Sequence, residues 1–201
     1  VFFHTTMRLM ESEDDLTLGI PQKIEREYRF SDEQRARWTH LPSNARVNRV
    51  KLLERLEKIT KLAEDFPFNK LIDNDSKIGI LTSGISYSHT MNALEKMNAI
   101  EKASIFKLGM IYPYPRKKLT KFMKKLDTLI VIEELEPVIE EYIKSLAFEE
   151  GLSLKIHGKD IFPEAFEFDE KMIKEGSSPV LEGREPKKLE PKEPKRAPGP
   201  S

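Results

Sequence analysis

Cysteine is absent from all 201 positions. That excludes a disulfide framework, a thiol nucleophile and any zinc or iron–sulfur centre held by thiolates within this stretch. An excess of either charge is absent too: 34 Lys plus Arg balance 34 Asp plus Glu, for a formal net charge of +0. No global field therefore favours nucleic acid or an acidic surface, and no nucleic-acid partner is expected. No apolar run approaches the length that spans a bilayer, and no signal peptide is read in the chain. The expected setting is cytoplasmic, without a membrane partner. There is no G-x-G-x-x-G loop, no Walker lysine and no H-E-x-x-H pair. The four histidines, His4, His40, His89 and His157, stand at no metal-ligand spacing, so no metal site is expected.

What is present is an alternation. The stretch KIGILTSGISYSHTMNAL, from Lys77 to Leu94, opens with a short apolar run, turns at Thr82-Ser83-Gly84, and continues with Met91, Leu94 and Met97 on one helical face. Ser86 or Ser88 is expected to cap that helix. Strand candidates follow at 78–82, 104–108, 128–132 and 152–156, with helices between them at 86–98, 115–126 and 136–149. Leu119, Phe122, Met123 and Leu126 form an i, i+3, i+4, i+7 stripe, and Pro115 and Pro137 sit in first turns, where a missing N–H is harmless. The fold class expected is α/β, a small mainly parallel sheet with helices on both faces. Upstream, Ser31–Ala36 reads as a short capped helix and about 45–64 as a longer one. Six of the 13 prolines fall within 176–201, interleaved with Lys and Glu, which reads as a disordered linker.

The candidate chemistry is sparse, and no catalytic residue is proposed. Ser83 and Gly84 lie at the carboxyl end of a strand, where open α/β sheets place ligands, but a structural turn is the plainer reading. Glu133 and Glu134, with Glu136, close the strand TLIVI. They suit acid–base work if desolvated, or the dipole of the helix that follows. Arg116, Lys117, Lys118, Lys121, Lys124 and Lys125 make one helix face basic; with no interleaved aromatic residue it reads as a solvated face.

Four stretches taken together resemble one family: HLPSNARVNRVKLLERL, KIGILTSGISYSHTMNAL, FKLGMIYPYPRKKLTKFMKKLDTLIVIEELEPVIEEYIK and IHGKDIFP. The chain is similar to the middle of the alpha subunit of indolepyruvate:ferredoxin oxidoreductases, across about residues 1–170. The run from Lys107 to Glu141 is the most specific. The opening FHTTMR is similar to the segment closing the family's pyrimidine-binding domain. The resemblance implies a thiamine-diphosphate enzyme of aromatic amino-acid degradation. Such an enzyme decarboxylates an aryl 2-oxoacid oxidatively, forms the acyl-CoA from coenzyme A and passes electrons through iron–sulfur clusters to ferredoxin. It implies a beta subunit as partner, and a middle domain similar to the C-terminal domain of transketolase. Thiamine diphosphate, Mg and the 4Fe-4S clusters would be bound outside this segment, which itself would hold no cofactor and be inactive alone.

The expected division is 1–30, the end of the pyrimidine-binding domain and a connector; 31–75, a linker-helix region; 76–170, the transketolase C-terminal-like domain; and 171–201, a linker. Starting at Val1 and stopping at Ser201, the chain reads as an internal piece of a longer polypeptide. One departure stands out: the family commonly has a Gly-Glu-Leu turn where this chain has Glu164-Ala165-Phe166-Glu167-Phe168. Two alternatives remain open: an oxidoreductase acting on pyruvate or a branched-chain oxoacid, and a stand-alone non-enzymatic α/β module for a small anion. For Ser83, Gly84, Glu133 and Glu134 no cofactor-binding role is secure. An interface domain should expose a sizeable apolar patch.

Overall fold

Alternating β-branched runs and amphipathic stretches after residue 70 fold into one five-stranded sheet. This computed structural model describes residues 15, 17–23, 25, 31–39 and 41–191, and the strand expected at 1–9 lies outside them. The chain divides into two units, Val1–Asn48 and Arg49–Ser201.

In the first unit, helix α1 (Asp32–Trp38) begins at a reciprocal box. The Gln34 N–H donates to Ser31 Oγ at 3.3 Å, and the Ser31 N–H donates to the Gln34 side chain at 3.2 Å. This is the short capped helix expected from Ser31. Helix α2 (Pro42–Glu64) starts in this unit and continues in the second.

The second unit holds β1 (Lys70–Ile72), β2 (Ile78–Ser83), α3 (Gly84–Lys96), a 3-10 turn (Ile100–Lys102), β3 (Ser104–Leu108) and α4 (Arg116–Met123). After these come β4 (Thr128–Ile132), α5 (Val138–Glu149), β5 (Lys155–His157) and α6 (Glu170–Leu181). The strand order is β1-β3-β2-β4-β5, with β1 antiparallel to β3 and every other pair parallel. Strand pleating sends alternate residues to opposite faces. Ile80, Ile105, Ile130 and Ile132 meet α3 and α6 on one face. Leu81, Phe106, Leu129 and Val131 meet α4 and α5 on the other. Each such side chain contributes roughly 1.5–3 kcal/mol when fully buried.

The expected class thus holds, and three details differ. The helix after β2 starts at Gly84, with Ser83 at its N-cap and no side-chain bond, rather than at a cap from Ser86 or Ser88. Gly84 has φ +54°, a conformation that costs other residues energy, and it turns strand directly into helix. The last strand is 155–157 rather than 152–156, because Leu152 and Leu154 pack on the core before Lys155 reaches its ladder partner Thr128. The linker expected from 171 is, as far as Leu181, a core helix burying Met172, Ile173, Val180 and Leu181. The composition misled because that stripe is apolar while its outer residues are not. Gly176 lets the helix close on Phe162, which a Cβ there would meet at 2.4 Å. Residues 192–201 lie outside the described residues.

A clasp joins the end of α2 to the sheet. The Asn69 side chain donates to Ala63 O at 2.9 Å and accepts from the Gly109 and Met110 N–H groups at 2.8 and 3.2 Å. Asn69→Ala leaves three backbone groups without that partner. It is expected to lower the unfolding free energy by about 2 kcal/mol, measured by urea denaturation. A loss under about 0.5 kcal/mol would show that water replaces the clasp.

Candidate functional site

Parallel strands place their carboxyl ends on one edge, and the loops leaving that edge can meet. The connection after β2 runs to the α3 face, and the connection after β4 runs to the α5 face. Since β2 and β4 are neighbours, the chain parts between them, and a crevice is expected there. The ladder ends at the pair Thr82–Ile132, so Ser83-Gly84 and Glu133-Glu134 flank that crevice. The two weak candidates of the sequence are brought together.

Glu133 is turned inward. Its Oε2 accepts from the Ile139 N–H and its Oε1 from the Glu140 N–H, both at 2.8 Å, at the N-terminus of α5. A carboxylate there meets both free N–H groups and the positive end of the helix dipole. Glu134 diverges from it: its Oε1 accepts from the Phe168 N–H at 2.8 Å and holds the loop after β5. Ser83 makes no side-chain cap bond. At the third helix on this edge, Glu64 of α2 accepts from the Lys117 and Lys118 N–H groups at 2.8 and 3.2 Å.

Beneath Glu133 lies a buried ionic layer that sequence reasoning missed. Lys159, 7% exposed, donates from Nζ to Glu133 O at 2.5 Å and to Pro163 O at 3.4 Å, and lies 5.1 Å from the Phe168 ring centroid. Glu140, 3% exposed, accepts from the Lys159 N–H at 2.8 Å and from Lys144 Nζ at 2.5 Å. His157 Nδ1 lies 2.6 Å from Asp160 Oδ2, and the Gly158 N–H donates to Asp160 Oδ1 at 2.6 Å. Gly158 sits against Glu140, whose Oε2 would be 2.1 Å from an added Cβ. The signal available was the charged tripeptide Gly158-Lys159-Asp160 directly after a strand. Nothing local, however, ties it to Glu140, nineteen residues earlier.

Burial pushes the Glu133 carboxyl above its ordinary range, against the pull of two helix N–H groups and of Lys159. Burial likewise lowers Lys159, against the pull of Glu133 and Glu140. Asp160 is pushed up by burial, but the Gly158 N–H and His157 outweigh this and hold it low. Between the unfolded carboxyl value of 4.5 and the higher folded one, the native state binds the extra proton of Glu133. Its share of stability is therefore present at low pH and lost as pH rises through that window. Urea midpoints from about pH 4 to pH 7 are expected to show this as a downward contribution in the native chain that Glu133→Gln lacks. Identical pH slopes in the two proteins would refute it.

The charged atoms of this layer have partners within the chain, so the arrangement pins loops: Glu133, Glu140 and Lys159 are buried, and the exposed Asp160 is taken up by His157 and the Gly158 N–H. Tyr114 stacks on Tyr142 at 3.9 Å and 13°, fixing the Tyr-Pro-x-Pro turn, whose Tyr112–Pro113 bond is cis. On the basic face of α4, Arg116 pairs with Glu149 and Glu150 at 2.7 and 2.8 Å, and Lys125 with Asp73 at 2.6 Å. Lys118 and Lys124 have more distant carboxylates at 3.9 and 4.0 Å. Among the described residues no group of three or more His, Cys, Asp or Glu could hold a metal, and no helix is long and apolar enough to cross a membrane. His4 and His40 lie outside the described residues.

The family model of the indolepyruvate oxidoreductase domain matches residues 70–192. Indolepyruvate oxidoreductase subunit IorA of Thermococcus kodakarensis is 36% identical over 172 residues, 83% of this chain and 26% of the relative. The subunit of the same description in Pyrococcus abyssi is also 36% identical over 172 residues, with the same coverage. The chain spans about a quarter of the length of these curated relatives. A solved 2-oxoglutarate:ferredoxin oxidoreductase from Magnetococcus marinus is similar over 71% of this chain and 24% of that one, at TM-score 0.49 and 16% identity.

Proposed function

The chain belongs to the indolepyruvate oxidoreductase family, and from that premise we propose that it is the scaffold and interface domain of such an enzyme's larger subunit. The whole protein would convert indolepyruvate and other aryl 2-oxoacids to the acyl-CoA in the cytoplasm, with coenzyme A as acyl acceptor, ferredoxin as electron acceptor and a beta subunit as partner. Thiamine diphosphate would carry the decarboxylation and 4Fe-4S clusters the electrons.

One observation supports the scaffold role above the others. EELEP and HGKD, which lie in two of the four stretches that carry the resemblance, meet in a buried layer that uses its charges on the chain's own backbone. A catalytic carboxylate needs an open face toward substrate. Glu133 and Glu140 are 7% and 3% exposed. The residues described do not fit the cofactors either. There is no cysteine for a cluster and no acidic group suited to Mg among the described residues.

The test is to clone the complete coding sequence around this segment, with its neighbouring subunit, and to purify the complex anaerobically. Indolepyruvate-dependent, coenzyme A-dependent reduction of ferredoxin is the result expected, with aryl pyruvates preferred to pyruvate. A complex that reduces ferredoxin with pyruvate alone would overturn the substrate assignment. No reduction with any 2-oxoacid would overturn the enzyme reading.

A further inference from the structure

Apolar side chains leave water unless something holds them there, and large contiguous apolar surface marks an interaction site. Four connections on the carboxyl edge of the sheet each put at least one large apolar residue outside, in the loop or in the first turn of the helix that follows. These are Ile85 after β2, Ile111 and Tyr112 after β3, Leu135 and Val138 after β4, and Phe166 after β5, all between 41% and 69% exposed. The strands they follow are neighbours in the sheet, so the topology gathers them on one edge.

Two of the six stand where backbone conformation argues against them. Leu135 has φ 57° and Phe166 φ 68°, a region that glycine or asparagine enters at lower cost. A side chain retained at such a cost, and exposed, is explained by a contact outside the domain. The loops that carry these residues are also fixed in advance. Glu133 and the Lys159–Glu140 layer lock the loop after β4, Glu134 ties it to Phe168, and Asn69 clasps Gly109 and Met110. Little ordering is left to do on binding, which favours affinity.

Charge selects the partner. Across residues 84–85, 109–115, 133–138 and 158–169 the chain has seven carboxylate side chains, three in 133–138 and four in 158–169. The single basic side chain there, Lys159, is buried, whereas Arg116, Lys117 and Lys118, all exposed, open α4 beside the loop after β3. Several of these carboxylates are used internally, while Glu136 and Glu164 are exposed at the rim, Glu164 with Lys188 at 3.9 Å. An apolar centre whose rim is acidic beside the loops after β4 and β5 is complementary to an apolar patch that carries lysine or arginine on that side.

We propose that this edge docks a protein surface of that kind, apolar at its centre and basic where it faces the loops after β4 and β5, on another part of the same enzyme. The proposal rests on the reading of the chain as an interface domain and names which surface does the work.

Zero-length carbodiimide coupling joins carboxylates only to lysines in direct contact, and it can be applied to the purified full-length complex. Glu136 and Glu164 are expected to couple to lysines outside residues 1–201, and only such products are scored, since Glu164 also has Lys188 of its own chain within reach. Leu135→Gly combined with Glu136→Lys is expected to cut the Glu164 yield at least tenfold. Leu135→Gly alone, and Leu135→Asn as a second variant, relieve the left-handed backbone. They are expected to lower the yield while leaving hydrogen-exchange protection of β2 and β4 unchanged or higher. Coupling to a second copy of this chain, to no lysine outside residues 1–201, or at undiminished yield in the Leu135 variants would each overturn the proposal. Ferredoxin reduction by the wild-type complex is scored separately. An active complex without these cross-links defeats the docking surface alone, and an inactive complex with them defeats the enzyme reading alone.

Discussion

Lys159→Ala is expected to lower the unfolding free energy by about 3–5 kcal/mol, the range for removing one partner of a buried ionic group. The ammonium satisfies Glu133 O and Pro163 O, lies over the Phe168 ring, and is the cation facing both Glu133 and Glu140. Its removal leaves two buried carboxylates with less counter-charge, a carbonyl without a donor, and a void. Lys159→Met fills the void and loses the charge with its hydrogen bonds to Glu133 O and Pro163 O, so it is expected to cost less, about half as much. Urea denaturation at neutral pH reads both. If both variants lose under about 1 kcal/mol, the layer is held by packing and the ionic account is wrong. A further sign is specific to charge: in Lys159→Ala, lowering the pH protonates Glu133, whose carboxyl burial already pushes up, so part of the loss should be recovered in mild acid.

Gly109→Ala is the second large effect expected, at about 3 kcal/mol. The added Cβ would lie 2.6 Å from Phe68 Cβ and from Phe68 O, and 2.7 Å from Phe68 C. Two of those atoms are backbone and cannot rotate aside. Shifting Phe68 moves Asn69, which accepts from the N–H of Gly109 itself, and after it β1. The damage should therefore travel to the antiparallel edge of the sheet. Amides of Lys70–Ile72 are expected to lose hydrogen-exchange protection while those of β4 keep theirs. Uniform loss across the sheet would mean a global effect, and no loss would mean that Phe68 yields freely. Gly84→Ala is the internal contrast. It meets nothing within 4 Å and has φ +54°, so only the backbone penalty of about 1 kcal/mol remains.

The central sheet was legible because its signals are local. Ile78–Leu81, Ser104–Leu108 and Thr128–Ile132 are short apolar runs, and each helix between them carries a stripe at its own period. β1 was not legible. Lys70–Ile72 is a three-residue strand made by its pairing with Ile105–Lys107, a contact thirty-five residues away that no local pattern encodes. Helix α6 was hidden by composition, since Gly176 and Pro179 count as breakers until Phe162 is seen to need the glycine.

The candidate site divides in the same way. Glu133 at the start of a helix was visible as a dipole partner, because helix and carboxylate are adjacent in sequence. Its neighbour Glu134 looked equivalent and has a different task, on Phe168. Lys159 and Glu140 carry no mark as isolated letters. Their burial depends on β5 lying beside β4.

The two margins of the sheet, β1 and β5, are each only three residues long, and each carries a lysine, Lys70 and Lys155. Margins of that kind offer too few free N–H and C=O groups for a foreign strand to add to the ladder. Strand augmentation, a common way for one sheet to recruit another chain, is thereby denied at both ends. Whatever assembles with this domain is steered to its loops and helices, and the five strands of the described residues are left with margins too short to seed a sixth.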